Sequence, residues 1–190
     1  MNKLAVVLPA MAFLIGCKQK EEKKTDADYF PATSYINSQI AYVDTSVFPI
    51  MKIVQRDTLF DTVFIKREDF KKEAADFLAL PDISSEKLRT KYSESKQFDE
   101  ALQRITFAYS PLDEDQPIQQ EVVVVKPDPN IDKVETIFID WFQANDDSTV
   151  QKKMTWQANK YFRIITLTQK KGQPERKERT EVHWTDPSAE

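Results

Sequence analysis

The chain has 190 residues, 41% of them hydrophobic and 11% aromatic, with 31 acidic against 27 basic residues and a net charge of −4. Mild acidity argues against a nucleic-acid partner, whose phosphates call for a basic face. Two glycines, one histidine and one cysteine exclude phosphate-cradling loops, dinucleotide fingerprints, nucleophile elbows and zinc sites built from Cys and His, all of which need several such residues.

Met1, Asn2 and Lys3 give a short positive start, and Leu4 to Ile15 form an apolar run broken by Pro9 and ending at Gly16. A membrane-spanning helix needs ~20 apolar residues, so this layout predicts an export signal over residues 1–16 rather than an anchor helix. Leu14-Ile15-Gly16-Cys17 resembles the lipobox of bacterial lipoproteins. That resemblance implies cleavage before Cys17 and lipidation of its thiol with diacylglycerol and a further acyl chain of the palmitate type. The expected location is the outer membrane of the cell envelope, lipid-anchored and either periplasm-facing or surface-exposed. A lipidated thiol is no nucleophile, and acyl chains in this number hold a protein firmly to a membrane. Loss of Lys3 with the signal takes the net charge to −5. With no second cysteine, no intramolecular disulfide can brace the fold, and apolar burial must hold it together.

Residues 17–28 read as a flexible charged tether, because Lys18 to Asp28 has no aliphatic side chain larger than alanine and cannot offset its ordering entropy by burial. Lys20-Glu21-Glu22 is similar to the lysine-plus-acidic-pair signals of surface-exposed lipoproteins of Bacteroidota. Residues 29–190 are then one domain, the natural count at this length.

Thr33 or Ser34 can cap a first helix running through Val43, with Tyr35 or Ile36, Ile40 and Val43 on one face. Pro49 blocks helix, and Ile50 to Arg56 and Leu59 to Lys66 read as a hairpin. Glu68 and Asp69 suit the first turn of a second helix, whose packed stripe is Phe70, Ala74, Phe77 and Leu78. Pro81 ends it, and a short third helix is expected from Ser85 to Tyr92. Six strands follow: around Ile105 to Tyr109, Gln120 to Lys126, Val134 to Phe142, Val150 to Trp156, Tyr161 to Gln169, and Thr180 to Trp184. Their short polar links force antiparallel neighbours. The expected fold class is α+β: an antiparallel β-meander of about six strands in the C-terminal half, preceded by helix, hairpin, helix and short helix, with helices on one sheet face.

Few residues point to chemistry. His183 lies between Val182 and Trp184, which alternate inward, so its side chain belongs on the opposite face. Asp128-Pro129-Asn130-Ile131-Asp132 has the spacing that opens a calcium loop. Lys133 stands where its glycine belongs, however, and Ile139 where its closing glutamate belongs. No metal or cofactor is expected. Trp141, Trp156 and Trp184 fall on strands of one sheet, and an open aromatic face can stack on sugar rings or fill a partner's pocket, which makes them the candidate ligand-binding residues beside Cys17 as the lipidation site. Asp140, next to Trp141, is the carboxylate most open to hydrolytic chemistry.

The chain as a whole resembles the uncharacterised lipoproteins of Bacteroidota through its lipobox, Tyr29-Phe30-Pro31, the helix holding Ser34-Tyr35-Ile36 and the region from Phe98-Asp99 to Tyr109. The resemblance implies an envelope location and brings no activity with it. The resulting expectation is a lipid-anchored binding or scaffolding module, held to the membrane through Cys17 and facing an envelope protein or glycan. The alternative is a small carboxylate-based hydrolase of glycosidase type.

Overall fold

A computed structural model describes residues 29–185. The expected signal segment, Cys17 and the tether lie outside the described residues, as do the last five positions. What is described is an α+β arrangement dominated by an open antiparallel sheet, with short helices on one face.

Helix α1 (Ala32–Thr45) buries Ala32, Ile36, Ile40 and Val43, the stripe that recurs every turn. It starts at Ala32, directly after Pro31, and neither Thr33 nor Ser34 caps it. The Tyr35 amide donates to the Pro31 carbonyl at 3.0 Å, and no side chain takes the capping role. Strands β1 (Ile50–Arg56) and β2 (Leu59–Ile65) form the expected hairpin, turning through Asp57 at φ 53°. The expected second helix is split into α2 (Arg67–Glu73) and α3 (Ala75–Leu78) by Ala74 at φ −85°, ψ 8°. Phe70, Ala74 and Phe77 all remain on the buried side. Arg67 ties the start of α2 to the end of α1, donating to the Val43 carbonyl at 2.6 Å and to the Ser46 hydroxyl at 2.8 Å. Helix α4 is one turn (Glu86–Arg89).

Seven strands follow rather than six: β3 (Tyr92–Asp99), β4 (Arg104–Pro111), β5 (Ile118–Lys126), β6 (Lys133–Ala144), β7 (Ser148–Gln157), β8 (Tyr161–Lys170) and β9 (Arg176–His183). The added strand is β3, whose Ser93, Glu94, Ser95, Lys96 and Gln97 carry no apolar alternation because it pairs on one side only. The hairpin is not a separate unit. It joins the same sheet beside the last strand, giving nine strands in the order β2-β1-β9-β8-β7-β6-β5-β4-β3. Only the β1 to β9 contact breaks sequence order, and it is antiparallel, with Val54 opposite Thr180.

Cross-strand partners in an antiparallel sheet share a face, so the register sorts every side chain. On the helix-covered face one row runs Lys52, Val182, Phe162, Trp156, Ile137, Val123, Phe107 and Lys96. Its middle is the core. Phe70 meets the Trp184 ring edge-on at 5.1 Å, Phe77 meets Trp156 in the same way at 5.1 Å, and Trp156 stacks on Phe162 at 5.5 Å. Burying each such ring stabilises the fold by ~2 to 3 kcal/mol through apolar transfer alone, with edge-to-face geometry adding about 1 kcal/mol per pair. Two ion pairs pin helix to sheet at the border of this core: Lys52 with Glu73 of α2, and Lys152 with Asp76 of α3.

Candidate functional site

The face turned away from the helices carries the other set of register partners. Glu181 on β9 sits opposite Ile53 on β1 and Arg163 on β8. Arg179 lies two residues along β9 and opposite Gln55 and Ile165, while His183 lies two residues the other way, opposite Tyr161. A strand spaces same-face residues by two positions, so alternation alone assembles this group.

Glu181 is its centre. Although on the uncovered face, it is only 6% exposed, because two arginines fold over it. Arg163 donates through Nε to Oε1, and Arg179 donates to the same oxygen through Nη2 and, at 3.0 Å, through Nε. His183 Nε2 lies 3.2 Å from Oε2. Burial pushes the Glu181 carboxyl up, but the hydrogen bonds from Arg179, Arg163 and His183 together outweigh it and hold the carboxyl below its ordinary value. The group is therefore a fixed anion holding two cations in place. Tyr161 completes the arrangement, stacking on the His183 ring at 5.1 Å with the Arg163 guanidinium 5.5 Å from its own centroid.

Beside this cluster is a groove of ≈ 320 Å³ lined by Gln55, Asp57, Arg163, Ile165, Lys177 and Arg179. A second hollow, of ≈ 270 Å³, shares Gln55 and Arg179 with it and reaches across Ile53 to Phe60 on the edge strand. Three cations face one acidic side chain in the groove wall. Glu181 answers only one of the two arginine charges, and each guanidinium has five N–H donors, so both keep donors for a further acceptor. Planar guanidinium forks match carboxylate and phosphate oxygens, while Ile165, Ile53 and Phe60 supply apolar contact alongside. The arrangement can hold an anion. Glu181 is locked between guanidiniums, and Asp57 is the one carboxyl in the groove wall.

The three tryptophans are elsewhere. Trp156 and Trp184 lie in the core beneath α2 and α3, at 0% and 2% exposure, and offer no surface to a ligand. Trp141 is half-buried on the helix-covered face with the Lys152 ammonium 5.5 Å from its ring centroid. Register does not bring the three together at any surface. Asp140 is on the uncovered face, where it accepts from Gln151 Nε2 at 2.9 Å. His183 is on the face expected for it, half-buried against Tyr161 and Glu181. Asp128 is held below its ordinary value mainly by its hydrogen bond from Lys133, the residue that occupies the place of a calcium-loop glycine. Among the described residues no group of three or more His, Cys, Asp or Glu side chains is placed to hold a metal ion. No helix among them is long and apolar enough to cross a membrane.

Sequence reasoning passed over Arg163, Arg179 and Glu181. The available signal was a set of polar side chains at alternate positions on two strands, Tyr161 with Arg163 and Arg179 with Glu181 and His183, opposite the apolar set already recognised at Val182 and Trp184. It passed over Glu121 as well, within the valine-rich strand. Glu121 faces the helix side next to Tyr109, is 2% exposed, and leaves Oε1 without a hydrogen-bond partner. Burial, aided by the charge of Asp82, pushes its carboxyl up to about 8. It is a neutral acid in the core, closed to any ligand.

No protein-family model matches the chain, and neither a curated protein nor a solved structure matches it.

Proposed function

We propose that the chain is a lipid-anchored envelope protein whose domain is a binding module, and that its ligand is an acidic group of an envelope glycan or protein. The observation that carries this reading is the pair of guanidiniums held by one buried carboxylate beside an open groove. A carboxylate buried under two arginines adds little net stability, since desolvation offsets much of the Coulomb gain. Preorganised cations on an accessible face are what an anionic ligand needs, and Ile165 with Phe60 can meet the apolar face of a sugar ring. The anchor is Cys17 and the membrane is the first partner. No cofactor is part of the reading.

Two measurements test it. Membrane fractionation compares the chain with a Cys17→Ala variant: the parent stays with the membrane after a salt wash, and the variant is released. An unchanged distribution would remove the anchor. For the ligand, calorimetry of the mature chain in detergent uses an oligosaccharide containing uronic acid and the same oligosaccharide with its carboxyls reduced to alcohols. The acidic form binds, the neutral form does not, and Arg179→Ala weakens binding about tenfold, as loss of one or two charge-assisted hydrogen bonds requires. Equal binding of both forms, or of neither, would refute an anion site.

A further inference from the structure

Among the described residues the sheet has two unpaired edges, β2 and β3, and they are unlike each other. Edge β3 presents Ser93, Glu94, Ser95, Lys96 and Gln97, the polar and charged residues that keep an edge from pairing. Edge β2 reads Leu59-Phe60-Asp61-Thr62-Val63-Phe64-Ile65, and every residue but the last is exposed. Leu59, Phe60 and Phe64 are 75%, 66% and 74% exposed. A long apolar edge of this kind is a template for another strand.

The pairing with β1 fixes which groups β2 offers. The two-residue turn at Asp57 and Thr58 makes Arg56 and Leu59 a hydrogen-bonded pair, and hydrogen-bonding direction alternates along a strand. Leu59, Asp61, Val63 and Ile65 therefore spend their backbone groups on β1. Phe60, Thr62 and Phe64 point theirs outward. The same three residues share a side-chain face, the one that carries the groove.

We infer that β2 pairs antiparallel with β2 of a second copy of this chain, about a two-fold axis at Thr62, to make one continuous eighteen-stranded sheet. The occupant follows from the symmetry of the edge. Centring on Thr62 pairs all three outward residues at once: Thr62 with Thr62 of the second copy, and Phe60 with Phe64 twice. This is the self-complementarity that a two-fold contact requires. Two phenylalanine pairs then form, one on each side of the Thr62 pair, with Met51 opposite Phe64, Ile53 opposite Thr62 and Gln55 opposite Phe60 on β1 of each copy. At about 200 Å² per phenylalanine side chain, the exposed parts of these rings, Leu59 and Val63 bring the contact to the order of 1,000 Å², the lower bound for a specific interface. Pairing of β2 with β3 of another copy would set these rings against Ser93, Ser95 and Gln97, the β3 side chains on the same face, so the contact closes as a dimer and does not propagate. Phe60 and Thr62 also line the second hollow, so the dimer places two grooves on one face, on either side of the axis.

The test is register-specific cross-linking of the full chain in membranes under mild oxidation. Thr62→Cys yields a covalent dimer, because residues opposite at a hydrogen-bonded pair have Cα atoms about 5.5 Å apart. Phe60→Cys does not, because its opposite residue is Phe64, and neither does the parent chain. Sedimentation in detergent supplies the second arm. The parent runs as a dimer, and Thr62→Pro, which removes only an outward N–H and leaves the β1 ladder whole, raises the dissociation constant at least tenfold with unchanged circular dichroism. A parent that stays monomeric at 100 μM, or cross-linking by Phe60→Cys as strong as by Thr62→Cys, would overturn the inference. A monomer whose binding to phospholipid vesicles depends on Phe64 would overturn it too, assigning the edge to lipid.

Discussion

Glu121→Gln tests whether a neutral carboxylic acid sits in the core. Its carboxyl is raised from 4.5 to about 8, by burial first and by Asp82 second. A raised carboxyl value means that the folded state holds its proton where the unfolded chain has already released it. Between those two values stability falls as pH rises, by ~1.4 kcal/mol per unit. The contribution is intact below the ordinary value, declines through the neutral range, and levels off once the folded state also ionises near pH 8. From pH 5 to pH 7 the parent should lose about 2.5 kcal/mol relative to the glutamine variant, a large part of a typical 5 to 15 kcal/mol total. Urea unfolding of both proteins at pH 5, 6, 7 and 8 measures this directly, since the difference curve cancels every other titrating group. The variant should gain on the parent at each step up to pH 8. Parallel curves, separated by the same amount at pH 5 and pH 8, would mean that Glu121 is ionised and solvated in the fold, and the account of the core around Tyr109 would be wrong.

Trp156→Ala should cost about 3 to 5 kcal/mol, read as a fall in melting temperature, because its ring joins Phe77 to Phe162 and Trp184. Glu181→Gln acts at the other end of the pH range. Its lowered value gives stability that is present above the ordinary carboxylate range and is lost as pH falls through the lowered value. The variant should therefore melt with a flatter acid limb below pH 5 and be about 2 kcal/mol less stable at pH 7. Gly172→Ala meets no atom within 4 Å but sits at φ 73°, so a cost of about 1 kcal/mol by denaturant unfolding would be backbone strain alone.

Local signals were legible where one residue pattern had one structural meaning. The Ile36, Ile40 and Val43 stripe gave α1, and Val182 with Trp184 gave the inward side of β9. Strand β3 was not legible, because Ser93, Ser95 and Gln97 lie on an edge where nothing demands alternation. A strand that pairs on one side and buries little has no hydrophobic period to read. The split of the second helix at Ala74 was equally hidden, since Phe70, Ala74 and Phe77 fit an unbroken stripe just as well. For the candidate site the missing quantity was register. Arg163 and Glu181 lie 18 residues apart, and only the β8 to β9 alignment makes them neighbours. Tryptophan on a strand suits a core and a binding face alike, and the helices packed over Trp156 and Trp184 decide between the two.

The place of the first hairpin in the sheet has a consequence for how the chain reaches this fold. Arg56 bonds to Glu178 at 2.5 Å across 122 residues of sequence, so β1 and β2 have no strand to rest against until β9 exists. Each neighbouring pair from β3 to β9 can form by local zippering, with small loops to close. The hairpin cannot. As the chain is synthesised, β1 and β2 wait, with the outer edge of β1 unpaired, for β9 to emerge. Assembly is therefore completed by β9, and a chain stopped before Arg176 would keep most of its meander yet leave β1 and β2 without the neighbour that positions them.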